Sequence, residues 1–182
     1  MINPEKLKVG DVIYLNGTIY TARDKAHLKI INMLKNGEEL PFNLKNKIIY
    51  HAGPIMKKVN DEWRCVSIGP TTSARMNDVE EEFIKLTGIS GIVGKGGMKN
   101  ELLDTFKKYK VVYLAAPGGC AVLLAKCVKK VEDVYFLELG MPEAVWKLRV
   151  KNFGPLIVSM DSYGKSIYKE VEEKVKEKLS TL

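Results

Sequence analysis

Residues 68–76 read IGPTTSARM and residues 92–98 read IVGKGGM. In the first, Thr71, Thr72, Ser73 and Arg75 follow a Gly-Pro turn; in the second, Lys95 stands among three glycines. Hydroxyls and fixed cations of this kind can hold a small anion or stabilise negative charge developing on one. A third stretch, TARDKAH (21–27), places Arg23 and His27 four residues apart. If a helix starts near Asp24, both can project from its first turn, and His27 can carry a proton near neutral pH.

Each stretch also has a plainer use. Thr71, Thr72 and Ser73 can cap a following helix. Thr71 and Arg75 share a face only if the turn between them is already helical. GKGGM can be a strand-to-helix turn with an exposed lysine, or a nest of backbone N–H groups that joins the Lys95 ammonium in holding a carboxylate. It is not a Walker A loop: Ile89 stands where the first glycine belongs, and Gly96 where the hydroxyl residue after the lysine belongs. GxGxxG is absent as well. The other histidine, His51, sits in IIYHAGP at a strand end, where a structural role is expected.

The spacing predicts elements that put these groups at strand ends. Residues 9–20 suggest a β-hairpin turning at Asn16-Gly17. Residues 24–35 suggest a helix capped by Asp24 and stopped by Gly37. Strands are expected at 47–53 and within 59–69. From Arg75 onward strands and helices alternate: a helix ending at Gly88, a strand at 90–94, a helix at 98–110 and a strand at 111–117. A helix at 120–131, a strand at 133–139, two strands around Gly154-Pro155 and a charged helix at 167–180 complete the chain. This pattern predicts an α/β fold: βαβ units with a β-rich N-terminal third, on a mixed, largely parallel sheet, in a single domain spanning 1–182. Sheets of this kind place ligands at their strand ends.

Bulk properties narrow the function classes. The 182 residues are 46% hydrophobic and 28% charged, as in ordinary globular chains. The 29 Lys+Arg against 22 Asp+Glu give a net charge of +7. The lysines are interleaved with acids, as in EVEEKVKEKL, and no basic run carries aromatics. The excess therefore reads as solvated faces that can steer a small anion, not as a nucleic-acid surface. A non-catalytic anion- or RNA-binding module is the remote alternative. No apolar run reaches membrane-spanning length and MINPEKLKVGD has no apolar leader, so a cytoplasmic protein is expected. Cys65, Cys120 and Cys127 match neither a disulfide framework nor a zinc pattern. They read as small buried hydrophobes, not as ligands of an iron–sulfur cluster within this chain. Arg23, Arg75 and Lys95 beside hydroxyls would suit a dicarboxylate, but no nucleophile–base set or metal cluster accompanies them. The chain looks like half of an active site.

Taken together, TARDKAH, HAGPI, GPTTSARM, GKGGM and GMPEAVWKLRVKNFGPLIVSMDSYG closely resemble the β subunit of class I, iron–sulfur fumarate hydratases and L(+)-tartrate dehydratases. The likeness runs from about Val9 to Tyr168. It implies a swivelling β/β/α-type domain and a hydro-lyase. It also implies a partner α subunit holding a 4Fe–4S cluster, with no cofactor on this chain, and room for a homodimer within an α2β2 assembly. Carried over by motif, Arg23, Thr71, Arg75 and Lys95 would bind the substrate carboxylates. Thr71 and His27 would be the proton-transfer candidates. Fumarate hydration to L-malate is the first activity so implied, and tartrate dehydration to oxaloacetate the alternative.

Overall fold

A computed structural model describes residues 2–180. In chain order the strands and helices are β1 (Val12–Thr21), α1 (Asp24–Lys35), β2 (Ile48–Tyr50), β3 (Ile55–Val59), β4 (Glu62–Ser67), α2 (Glu80–Thr87), β5 (Gly91–Gly94), α3 (Leu102–Tyr109), β6 (Val112–Ala115), α4 (Ala121–Cys127), β7 (Val128–Tyr135), β8 (Val145–Met160) and α5 (Ile167–Ser180). The main sheet has the order β1-β2-β5-β6-β8-β7, and β1 also pairs with β8, so the hydrogen-bonded circuit returns on itself. β1, β2, β5 and β6 run parallel. β8 is antiparallel to β1, β6 and β7, so the sheet is mixed, as expected of this α/β chain.

Strand alternation sorts the core into two clusters. Ile48, Tyr50, Val112 and Leu114 pack with Trp146, Leu148 and Phe153. Their neighbours Ile49 and Tyr113 point the other way, beneath Ala26 and Ile30 of α1, Phe83 and Ile84 of α2, and Phe106 of α3. Each such burial contributes about 1.5–3 kcal/mol, so the register that feeds the helices is firmly set. α2 ends at Gly88 in the left-handed conformation at φ 64°, the stop that its glycine predicts.

Three expectations change. The hairpin at Asn16-Gly17 does not form: β1 runs through it, with Gly17 at φ 116° in an irregular stretch of its pairing with β8. The Asn16 side chain accepts from the Asn152 N–H at 2.9 Å, which ties the two strands at that point. The two strands expected around Gly154-Pro155 are one, because β1 pairs with β8 on both sides of that dipeptide. The helix expected at 120–131 ends at Cys127, and β7 begins at once by pairing with β8. A separate hairpin, β3–β4, turns through Asn60 and Asp61, both at positive φ.

Candidate functional site

The parallel strands direct their C-terminal ends to one edge, and the residues singled out from sequence leave the sheet there. Arg23 follows β1 at the N-cap position of α1, His51 follows β2, and Lys95 follows β5. The segment 70–73 crosses between the last two exits. The Thr71 N–H donates to the His51 carbonyl at 2.6 Å, the Lys95 N–H to the Thr71 carbonyl at 3.1 Å, and the Ser73 N–H to the Lys95 carbonyl at 3.0 Å. Thr71 is therefore extended. Only Ser73–Met76 form a short 3₁₀ turn, so Thr71 and Arg75 do not share a helical face. The hydroxyls do not cap that turn either. Thr72, at the cap position, makes no side-chain bond, and the Ser73 hydroxyl turns inward. The half-buried Thr71 hydroxyl has no hydrogen-bond partner among the described residues, so it is available to a ligand.

The two arginines meet at Asp24, which opens α1 but does not cap it. Arg75 grips Asp24 with two parallel contacts, Nε to Oδ1 and a terminal nitrogen to Oδ2, each 3.1 Å. The first is a hydrogen bond, and the second is a charge contact only, because Asp24 Oδ2 has no hydrogen bond. Arg23 Nε lies 4.0 Å from the Asp24 carboxylate and 3.5 Å from Glu143. Its guanidinium lies over Gly53, where a Cβ would come within 2.5 Å of Nη1. Lys95 is exposed and runs beside Gly118; among the described residues its ammonium has no ion pair.

Behind this edge lies a polar cluster with no solvent exposure. His27 Nδ1 is 2.9 Å from the Arg23 carbonyl, and its Nε2 is 3.6 Å from Glu80 Oε2. His51 Nε2 is 3.4 Å from the same oxygen, and its Nδ1 is 2.9 Å from Ser73 Oγ. The Tyr113 hydroxyl completes the line at 2.9 Å from Ser73 Oγ. Burial pushes Glu80 up to about 8 and His27 down to about 4. Burial, with His27 alongside, also holds His51 well below the usual histidine range. His27 is thus placed under Arg23, not at the surface. Glu80 was missed because EEEF reads as a charged helix start. Its spacing of three and four from Phe83 and Ile84 is the signal that places it on the buried face.

The cysteines stand apart. Cys65 lies on β4, and Cys120 and Cys127 flank or end α4. The Cys120 thiol donates to the Pro117 carbonyl, and burial pushes the Cys65 thiol up to about 12, far from a ligating thiolate. Among the described residues, the one group of histidine, cysteine and carboxylate atoms within 4.8 Å of one another is His27, His51 and Glu80. The cysteines of this chain therefore do not fit an iron–sulfur cluster. No helix among the described residues is long and apolar enough to cross a membrane.

The family model described as the fumarase C-terminus matches residues 3–171. The chain belongs to this family. Its relatives include the "Putative L(+)-tartrate dehydratase subunit beta" of Methanocaldococcus jannaschii, 77% identical over 98% of this chain and 92% of that one. The L(+)-tartrate dehydratase subunit beta of Escherichia coli K12 is 48% identical over 91% of this chain and 81% of its own. A "Putative fumarate hydratase class I" of Geobacillus stearothermophilus is 44% identical over 96% of this chain, which spans 33% of that longer protein. These matches span the site, including every stretch on which the resemblance rested.

Proposed function

We propose that the chain is the β-type subunit of a hydro-lyase acting on a four-carbon hydroxy-dicarboxylate, with L(+)-tartrate, converted to oxaloacetate and water, as its first substrate. The observation that carries this reading is the gathering of Arg23, Thr71, Arg75 and Lys95 at one sheet edge in a member of the fumarase C-terminus family. The names of two near-full-length relatives favour tartrate. The Geobacillus relative supports L-malate and fumarate as the second reading.

The residues suit the task. Arg75 exchanges the Asp24 carboxylate for a substrate carboxylate of the same shape, and Arg23, beside it, takes up further negative charge. Lys95 brings a point charge from the opposite side of segment 70–73. Removing a proton next to a carboxylate builds negative charge onto that carboxylate, and fixed cations lower the barrier. Thr71, tied through its backbone to His51 and Lys95 and with a free hydroxyl, is the group assigned to that proton. A bare hydroxyl is a weak base, so Thr71 needs a neighbouring group on the partner. His27, the other proton-transfer candidate, has no solvent exposure, and in this reading its part is to position the Arg23 backbone. A partner α subunit supplies the iron–sulfur cluster that this chain's thiols do not fit. We place the assembly in the cytoplasm, as one domain per β chain.

The test is anaerobic reconstitution with the matching α subunit and rates on L(+)-tartrate and L-malate. Tartrate turnover exceeding malate turnover is expected; malate alone establishes the second reading, and activity on neither overturns both. In that complex Arg75→Ala is expected to lose about 100-fold in kcat/KM, the scale of one lost bidentate carboxylate contact. Assembly should be unchanged, because the side chain is 52% exposed and its ion pair adds little stability. Normal turnover in the variant would remove Arg75 from the site.

A further inference from the structure

We propose that Glu80 is held as a neutral carboxylic acid and closes an unbroken, one-directional chain of hydrogen bonds that fixes the backbone under Arg23, Thr71 and Lys95. Its functional half rests on the dicarboxylate-site reading above; its structural half does not.

His27 Nδ1 faces the Arg23 carbonyl at 2.9 Å, and a carbonyl only accepts, so Nδ1 carries hydrogen. A neutral His27 then presents an Nε2 lone pair to Glu80 Oε2. At the far end, Tyr113 donates to Ser73 Oγ, the one hydrogen-bond partner of that hydroxyl among the described residues. The Ser73 proton passes to His51 Nδ1, which leaves hydrogen on His51 Nε2, aimed at Glu80 Oε2. One proton on Oε2 completes the line: Glu80 accepts from His51 and donates to His27. As placed, Glu80 Oε1 and Oε2 and both Nε2 atoms are buried with no hydrogen bond. The 3.4 and 3.6 Å separations exceed those of formed hydrogen bonds, so the line forms only when the Glu80 carboxyl moves closer to both rings.

The surroundings favour the neutral acid. The titratable groups facing Glu80 are His27 from α1, His51 from the end of β2 and Tyr113 from β6, with Asp24 next to His27 and Tyr168 next to Tyr113. None is a cation, and an unpaired buried carboxylate costs several kcal/mol. A metal ion among the same three ligands would need both Nε2 atoms bare. His51 would then donate to Ser73 and Ser73 to Tyr113, leaving the buried tyrosine proton with no acceptor. The proton gives every group along the line a partner and leaves Glu80 Oε1 alone without one, whereas the metal leaves a hydroxyl proton of the line itself without an acceptor.

The chain touches each site segment. His27 holds the Arg23 carbonyl, the backbone of His51 takes the Thr71 N–H, and the backbone of Ser73 donates to the Lys95 carbonyl. Glu80 is a positioning residue, four links from substrate contact at most.

Glutamine is the neutral isostere of a protonated glutamate and can neither ionise nor replace a carboxylate ligand; its amide nitrogen, placed at Oε2, donates to His27 but does not also accept from His51. Thermal unfolding of the full chain is measured against pH for wild type, Glu80→Gln and Glu80→Ala. A raised folded-state value gives stability that is full below about 4.5 and is lost as pH climbs to about 8. The lowered histidines act oppositely, and their contribution is complete by about 6.5. Between pH 6.5 and 8 the wild type should therefore lose about 5 °C in Tm, and Glu80→Gln should not. In the reconstituted complex, Glu80→Ala should raise KM about 10-fold or more, and Glu80→Gln, which keeps a donor for His27 and so the support of the Arg23 carbonyl, should recover part of that loss. A slope that persists in Glu80→Gln, a glutamine variant as damaged as the alanine one, or one equivalent of metal in purified wild type that Glu80→Gln lacks would each overturn the proposal. The first and third are read on the chain alone, so failure of the substrate reading leaves them standing.

Discussion

Gly94 shows how tightly the site residues are bound to their support. It ends β5, one residue before Lys95, with its Cα against the inward-turned Ser73. An added Cβ would come within 1.8 Å of Ser73 Oγ and 2.8 Å of the Tyr113 hydroxyl. Neither group can retreat, because both are buried and hydrogen-bonded to each other. Gly94→Ala is therefore expected to destabilise the chain by about 3 kcal/mol, at the upper end of overpacking costs. Urea unfolding monitored by far-UV circular dichroism measures this, and a change below 1 kcal/mol would mean that Ser73 sits elsewhere. From sequence, the GKGG glycines suggested freedom around an anion. Gly96 fits that use, at φ 75° with open space where a side chain would go. Gly94 is needed for the opposite reason, which is close packing.

The elements at the sheet edge leave apolar surface uncovered beside the site. Val122 and Leu123 on α4 are 59% and 64% exposed, and Ile55 and Val66 of the β3–β4 hairpin that packs near α4 are also exposed. The loop before α4 carries Gly118, against which Lys95 lies. A partner that completes the site would cover this surface first. Leu123→Asp is expected to weaken assembly with the α subunit at least 10-fold, the effect of placing a charge at the core of an interface, while the isolated chain unfolds as before. Titration by analytical ultracentrifugation reads this, and unchanged affinity would place the interface elsewhere. At this scale the sequence was informative where signals were local. α1 and α5 fall at 24–35 and 167–180, and Gly88 ends its helix. It misled where a turn signal was overruled by pairing. Asn16-Gly17 and Gly154-Pro155 are both carried through because β1 and β8 bond along their length. The candidate site was legible as residue types, since Arg23, Thr71, Arg75 and Lys95 lie on motifs. The cluster behind it was not, because Glu80, His51 and Tyr113 come from three distant segments that only the sheet brings together.

Across the whole molecule, a net charge of +7 is spread over many surface lysines, several of them paired with acids such as Glu82 and Glu172. Ion pairs of this kind interrupt the positive surface. The surface does give a positive field around a site that already holds Arg23, Arg75 and Lys95. A dianionic substrate approaching that edge is drawn from beyond contact distance, and the pull is screened once the Debye length falls to about 8 Å at physiological ionic strength. For the reconstituted enzyme, kcat/KM should fall about 5-fold as sodium chloride rises from about 20 to 300 mM. Because salt acts on approach and on the exposed ion contacts and not on the bound complex, kcat should hold nearly constant. A nucleic-acid-binding module would behave differently, with affinity for RNA falling by orders of magnitude over the same range. Both can be measured on one preparation, by steady-state kinetics and by filter binding. A flat kcat/KM together with a steep RNA salt slope would reverse the assignment of this charge from steering a dicarboxylate to holding a polyanion.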